Sequence, residues 1–277
     1  ERFGTAFETG RALPNSPEFA HFFAGLVQLA DWLGSDTRLF PYSVAGEDRS
    51  QLVWHRARKA VQRIGLDATG WRQALPCLPD FSEVFRDSAS RPLQPHPIQS
   101  KMAEPGLGPL LILESETGSG KTEAALWRFA QLFQAGQVDG LYFALPTRVA
   151  ATQLYNRPLQ FAANLWQGTE QEPPLVVRAL SGYESADGQA IEAKLPNFEV
   201  LWADKPDEEE AHKRWAAETS KRYLAAPLAV GTIDQALLGA LQVRHAHRRH
   251  SLLARSLLVV DEVHASDACM ATLLAHL

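Results

Sequence analysis

Two glycines, a lysine and a hydroxyl stand together in Gly118-Ser119-Gly120-Lys121-Thr122, inside the string LLILESETGSGKTEAALWRFAQLF. These residue types in this order can grip a polyphosphate. Glycines let the chain turn so that peptide N–H groups point inward at phosphate oxygens. The N-terminus of a following helix adds partial positive charge. Lys121 can reach the outer phosphates, and the Thr122 hydroxyl can ligate magnesium. The usual spacing is G-x-x-x-x-G-K-[S/T]; Ser115 holds the first position here and the later ones are intact. Thr117, Gly118, Ser119, Gly120, Lys121 and Thr122 are therefore the candidate nucleotide-binding residues.

A second constellation lies far downstream in SLLVVDEVHASD. Two adjacent carboxylates after a buried apolar run are costly to place unless they face a cation. Ligands of open parallel sheets sit at the C-terminal ends of strands. There, Asp261 would hold the magnesium ion of a bound nucleotide, directly or through water. Glu262 would orient and polarise an attacking water. Lys121, Asp261 and Glu262 form the candidate catalytic set, with Thr122 and Asp261 as candidate magnesium ligands.

These side chains need a scaffold, and the apolar pattern suggests one. Short runs at Leu110–Leu113, Leu141–Leu145, Leu175–Leu180, Leu228–Val230 and Leu257–Val260 alternate with helix-like stretches. That alternation predicts right-handed βαβ crossovers and a parallel sheet. The runs are continuously apolar, as in strands covered on both faces. Residues 1–75 read as helical. Ser16 is a candidate N-cap with Pro17 at the first helical position. The following EFAHFFAGLVQLADWLGSD is apolar on almost every side and predicts a buried helix, and a second, amphipathic helix is predicted from Glu47 to Ile64. Residues 76–96 are proline-rich and read as a connector laid over a surface. The α/β part is expected over 97–277.

Two further stretches have plain readings. The charged run at 204–222 reads as an exposed helix. The basic run at 242–255 reads mainly as a solvated loop. His245, His247 and His250 do not share the i, i+4 face that helical metal sites use, and His21 reads as packed in its own helix.

Composition narrows the class. The chain has 277 residues, 45% of them hydrophobic and 21% charged, enough for a core and unlike a disordered tail. No apolar run approaches the roughly 20 residues of a membrane span. The first residues lack the basic and apolar regions of a secretory signal. Two cysteines, Cys77 and Cys269, do not make a disulfide framework, so a cytoplasmic location is expected. The net charge of -5 argues against a globally basic nucleic-acid binder, although a local basic groove can hide within that sum.

Three more strings carry a resemblance. FALPTRVAATQL at Phe143–Leu154 is similar to helicase motif Ia, AVGTIDQAL at Ala229–Leu237 to the motif before the acidic one, and DEVH to the motif II variant ending in histidine. With ETGSGKT they resemble the first RecA-like domain of superfamily-two helicases. As whole phrases, GLYFALPTR, VGTIDQALL and VVDEVHA resemble the CRISPR-associated helicase-nucleases of type I interference systems, which the Cascade surveillance complex recruits. AGLVQLADWLGSD at Ala24–Asp36 resembles the last helical motif of that family's HD nuclease domain, and FSEVF and RPLQPHPIQ its entry to the helicase domain.

The resemblance implies an α/β, RecA-like fold preceded by the C-terminal helices of an HD domain. It implies ATP with magnesium, single-stranded DNA and Cascade as partners, no membrane, and a divalent transition metal in an intact HD domain. It gives Gln99 the adenine-reading role and has His264 couple the ATP site to later motifs. Pro146, Thr147, Arg148, Gly231 and Thr232 would face the sugar-phosphate backbone of DNA. Asp31, ahead of Asp36, would be the last HD metal ligand. Two departures bear on function. The early histidines and His-Asp pair of an HD signature are absent, His21 being the only histidine before residue 55. The chain also stops soon after motif II, without a second RecA-like domain. It is expected to be an internal fragment that alone neither cuts nor unwinds. Two rivals stand beside the motor: a phosphate-loop ATPase that remodels protein, and a fragment that holds nucleotide without turnover.

Overall fold

The computed structural model describes residues 13–37, 39–41, 49–87, 89–104, 106–116, 118–180, 183–186, 189–190, 226–241, 243, 246–263 and 268–274. The helices are α1 (Pro17–Gly34), α2 (Arg49–Arg63), α3 (Thr69–Gln73), α4 (Phe81–Val84), α5 (Pro97–Lys101), α6 (Lys121–Gln134), α7 (Arg148–Leu154), α8 (Asn156–Leu165), α9 (Ile233–Leu237), α10 (Ala246–Leu253) and α11 (Ala268–Leu274). The strands are β1 (Gly140–Leu145), β2 (Val176–Leu180), β3 (Tyr183–Ala186), β4 (Gln189–Ala190), β5 (Leu228–Thr232) and β6 (Ser256–Val260). Among the described residues no helix is long and apolar enough to cross a membrane.

The strands lie in the order β4-β3-β2-β5-β1-β6. β2, β5, β1 and β6 run parallel, and Phe143 at the centre of β1 stands level with Val230 of β5 and Val259 of β6. β3 and β4 extend the β2 side as antiparallel strands. The α/β class read from the apolar runs is the class observed.

Strand alternation sorts the core into two layers. Leu141, Phe143 and Leu145 of β1 face one layer with Leu228, Val230, Val176 and Leu180. Tyr142 and Ala144 face the other with Ala229, Val177 and Ala179. The first layer holds the aromatics of α6 and α8. Phe129, Phe133 and Phe161 are fully buried there, each contributing about 1.5–3 kcal/mol relative to an exposed ring. The stretch expected as a surface connector also enters this layer. Phe81 and Phe85 are buried against the Trp127 ring, 5.5 and 6.2 Å between centroids. Its prolines break periodicity without stopping its aromatics from packing.

Four of the five expected strands form; Leu110–Leu113 does not. Residues 110–116 have no regular structure, and Leu110 and Ile112 are 81% and 82% exposed. An apolar run becomes a strand only by pairing, and this one pairs with nothing among the described residues. β6 stays at the sheet's edge, half-buried along its length, while β1 is buried throughout.

α1 begins as its sequence indicates, with the Ser16 hydroxyl accepting the Phe19 amide at 3.2 Å and Pro17 opening the helix. It is not buried all round. Gly25, Leu29 and Leu33 are buried, whereas Phe23, Leu26 and Val27 are exposed, because only one face meets the rest of the protein. That face crosses α10. The basic run expected as a solvated loop is mostly this packed helix, in which Arg248 and Arg249 are buried. The Arg248 guanidinium lies over the Trp32 ring, 4.0 Å from its centroid. The Ser251 hydroxyl donates to the Phe22 carbonyl at 2.7 Å. The charged run at 204–222 lies outside the described residues.

Gly25 sets how closely the two helices approach. A Cβ there would sit 2.1 Å from both the His247 carbonyl oxygen and the Ser251 hydroxyl, so one helix would have to move. Gly25→Val is expected to destabilise the protein by about 1–3 kcal/mol. Urea unfolding measures this, and an unchanged midpoint would mean that the crossing opens at no cost.

Candidate nucleotide and nucleic-acid site

The phosphate loop gets its shape from two left-handed glycines, Gly118 at φ 83° and Gly120 at φ 82°. Lys121 then opens α6, whose Ala124–Ala130 face is buried and fixes the loop's height above the sheet. The loop closes on itself. The Lys121 ammonium donates to the Ser115 and Glu116 carbonyls at 2.7 and 2.9 Å, and the Ser115 and Ser119 hydroxyls lie 2.5 Å apart. The serine that replaces the usual first glycine thus braces the loop. Thr122, on the first turn of α6, is half-buried; Thr117 lies outside the described residues.

Gln99 sits under this loop, 3% exposed. Its amide oxygen accepts the His96 N–H at 2.8 Å, and its amide nitrogen donates to the Gly120 carbonyl at 3.1 Å. A Cβ on Gly120 would lie 2.1 Å from that nitrogen, so a side chain there would displace the Gln99 amide, and the left-handed backbone itself favours glycine.

The carboxylates follow β6 directly. The Asp261 amide donates to Ala144 of β1 at 2.9 Å, carrying the ladder one residue beyond the strand. An Asp261 carboxylate oxygen accepts the Glu262 N–H at 3.0 Å. Glu262 is exposed with φ at 53°, a region that non-glycine residues seldom occupy. His264 lies outside the described residues.

Loop and carboxylates share one end of the sheet. α6 has 14 residues, about 21 Å of helix, and β1 is of similar length. Only residues 135–139 join the end of α6 to the start of β1. Arg72 fastens this junction, donating to the Phe133 carbonyl at 2.8 Å, the Val138 carbonyl at 3.0 Å and the Asp139 carboxylate at 2.7 Å. With its last turn at the N-terminal edge of β1, α6 runs back along the strands and delivers its first turn to their C-terminal ends. A second contact agrees. Glu123 in that first turn pairs with Arg157, which lies beyond the end of β1 in α8, at 3.3 Å. Neither motif revealed this pair, because the two residues are remote in sequence and carry no signature. A hydroxyl and a carboxylate at one sheet end are hard oxygen donors of the kind magnesium takes.

The residues assigned to DNA also collect at this end. Pro146, Thr147 and Arg148 follow β1. Thr147 caps α7, its hydroxyl accepting the Ala150 amide at 3.1 Å, and Thr147 and Arg148 are exposed. Leu145 is in register with Thr232, so the end of β5 lies alongside. Gly231 and Thr232 are buried rather than turned outward, because β5 runs between β1 and β2. A Cβ at Gly231 would meet the Tyr142 hydroxyl at 2.5 Å, and that hydroxyl donates to the Thr232 carbonyl at 2.9 Å.

Asp31 stands apart, exposed on α1. Asp36 is buried, and its carbonyl accepts the Leu39 and Phe40 amides. Among the described residues no group of three or more His, Cys, Asp or Glu could hold a metal ion, so the residues present do not fit a nuclease metal centre.

Comparison with known proteins places the chain in a family. The chain is 35% identical over 270 residues to the CRISPR-associated endonuclease/helicase Cas3 of Thermus thermophilus, covering 93% of this chain and 27% of that protein. It is 29% identical over 266 residues to the protein of the same name from Escherichia coli, covering 93% and 28%. The crystal structure of T. fusca Cas3 superposes with a TM-score of 0.64 at 28% identity, over 96% of this chain and 28% of that one. A CRISPR-associated protein superposes with a TM-score of 0.67 at 27% identity, over 99% and 31%. The chain thus spans between about a quarter and a third of the length of the proteins it matches. The family model of DEAD/DEAH box helicases matches residues 96–271, the stretch that carries the loop, the carboxylates and the sheet between them, and the chain belongs to that family.

Proposed function

We propose that this chain is the ATP-binding half of a motor that moves along single-stranded DNA and feeds an HD nuclease in type I CRISPR defence, working in the cytoplasm with the Cascade complex. One observation carries this reading: the phosphate loop and Asp261-Glu262 occupy the same end of one parallel sheet. Residues 1–75 are then the last helices of the nuclease domain, 76–96 the connector, and 97–277 the first RecA-like domain. The greater length of the relatives leaves room for the rest of the nuclease and the second half of the ATP cleft.

The chemistry follows from the residues. An incoming triphosphate competes for Lys121, which exchanges two loop carbonyls for phosphate oxygens and so opens the loop it now closes. Amides of Gly118, Ser119 and Gly120 line the phosphates, and the motif assigns Thr117 to the same ligand. Magnesium, when bound, neutralises charge on the outer phosphates. Thr122 and Asp261 are the residues that would hold it. Glu262, exposed next to Asp261, takes a proton from the attacking water. Gln99 rests against Gly120, where an adenine reader can report occupancy to the loop. Thr147 and Arg148 present a hydroxyl and a guanidinium to the DNA backbone, and Pro146, Gly231 and Thr232 form the wall behind them. Asp31 keeps its assigned role, as the last ligand of the nuclease metal, only if partners from the rest of that domain complete the site.

Two results are expected from the full-length protein. Lys121→Ala lowers ATP turnover by about 100-fold or more; an unchanged rate defeats the assignment. Replacing Thr147 and Arg148 together by alanine removes most of the acceleration of ATP hydrolysis by single-stranded DNA and spares the DNA-free rate. Hydrolysis already indifferent to single-stranded DNA in the unaltered protein would favour a protein-remodelling ATPase instead.

A further inference from the structure

Three imidazoles meet where α1 crosses α10. His21 lies on α1; His247 and His250 lie three residues apart on one side of α10. The Nδ1 atoms of His21 and His247 are 2.7 Å apart. The His21 ring centroid is 4.1 Å from that of His247 and 5.0 Å from that of His250, both edge-on. A contact between two imidazole nitrogens needs one N–H and one lone pair. Two neutral rings, or one neutral and one charged, can supply them. Two protonated rings cannot, since each then has only donors, and the hydrogen bond becomes a contact between cations.

We propose that His21, His247 and His250 form a proton-operated clamp, which holds the first half of α1 on α10 while the rings are neutral and releases it when they charge. Leu29 and Leu33 stay anchored in the core, so the release stops near Gly25. α10 leads through residues 254–255 into β6, and Asp261 and Glu262 follow the end of that strand. The clamp therefore fastens α1 to the helix that precedes the carboxylate-bearing strand.

Among the described residues, the charged neighbours give the protons no counterion. Burial, then the charges of His247 and His250, hold the His21 imidazole below its usual range, partly offset by the Gly239 peptide. Burial lowers His250 as well. On α1, Glu18 is bonded to Ser16 and Asp31 is exposed on a later turn. On α10, Arg248 lies over Trp32 and Arg249 donates to the Gln235 side chain and carbonyl at 3.2 and 3.3 Å. Asp234 of α9 is exposed. A released histidine returns to a value near 6.5. The folded values of His21 and His250 are lower, so the contact is at full strength above that value and is lost as pH falls from it through theirs.

Hydrogen–deuterium exchange on the full chain between about pH 5 and pH 8, corrected for intrinsic rates, tests the clamp. Amides of residues 20–25 should lose at least about tenfold protection at the acid end, while residues 29–33 keep theirs. His21→Phe, which fills the space without titrating, should abolish that difference. The same pH response in His21→Phe, or none in the unaltered chain, overturns the proposal. Imidazole titration by NMR gives a test that needs no variant: midpoints of His21 and His250 below about 6.5 support the clamp, and ordinary values overturn it.

Discussion

The geometry of the site depends on how α6 lies against the sheet. One face of this helix is alanine, leucine and aromatic, and it buries Phe129 and Phe133 against the strands. That packing, with the short return to β1, fixes the direction of the helix. Direction decides chemistry here: reversed, Lys121 would face the N-terminal edge and share nothing with Asp261. Arg72 reinforces the far end, adding side-chain donors to carbonyls at the helix terminus and the strand entry. A residue remote from the phosphates thus helps set where the phosphate loop sits.

Much of this layout is legible in the sequence. Strands β1, β2, β5 and β6 announce themselves as apolar runs, because strands covered on both faces have no polar side to show. The loop is legible because only glycines readily take the backbone angles found at Gly118 and Gly120. Other features are hidden for physical reasons. Leu110–Leu113 has the composition of a strand, but strand formation is settled by a neighbour that composition does not contain. The proline-rich stretch reads as a connector, since prolines erase periodicity, yet Phe81 and Phe85 still find the core. The burial of Gly231 follows from the Tyr142 hydroxyl beneath it, a contact between strands that are remote in sequence.

The histidines make the same point for α10. Taken alone, its spacing speaks against a metal site, and its basic residues suggest exposure. Both judgements treat one segment in isolation. Once α1 is laid across it, the arginines stack and cap, the histidines acquire His21, and Gly25 becomes the point of closest approach. The two helices are far apart in sequence, so only the fold could bring them together.

The edge position of β6, unpaired on its outer side among the described residues, has a further consequence. Its backbone groups face outward in a regular row, and the chain also exposes a stretch of leucine and isoleucine at 110–112. Such an edge is a template for any extended chain, and proteins usually cover or charge it. A polypeptide of this span, produced by itself and concentrated, would tend to stack edge to edge, so its colloidal behaviour is governed less by its net charge than by whatever caps that border.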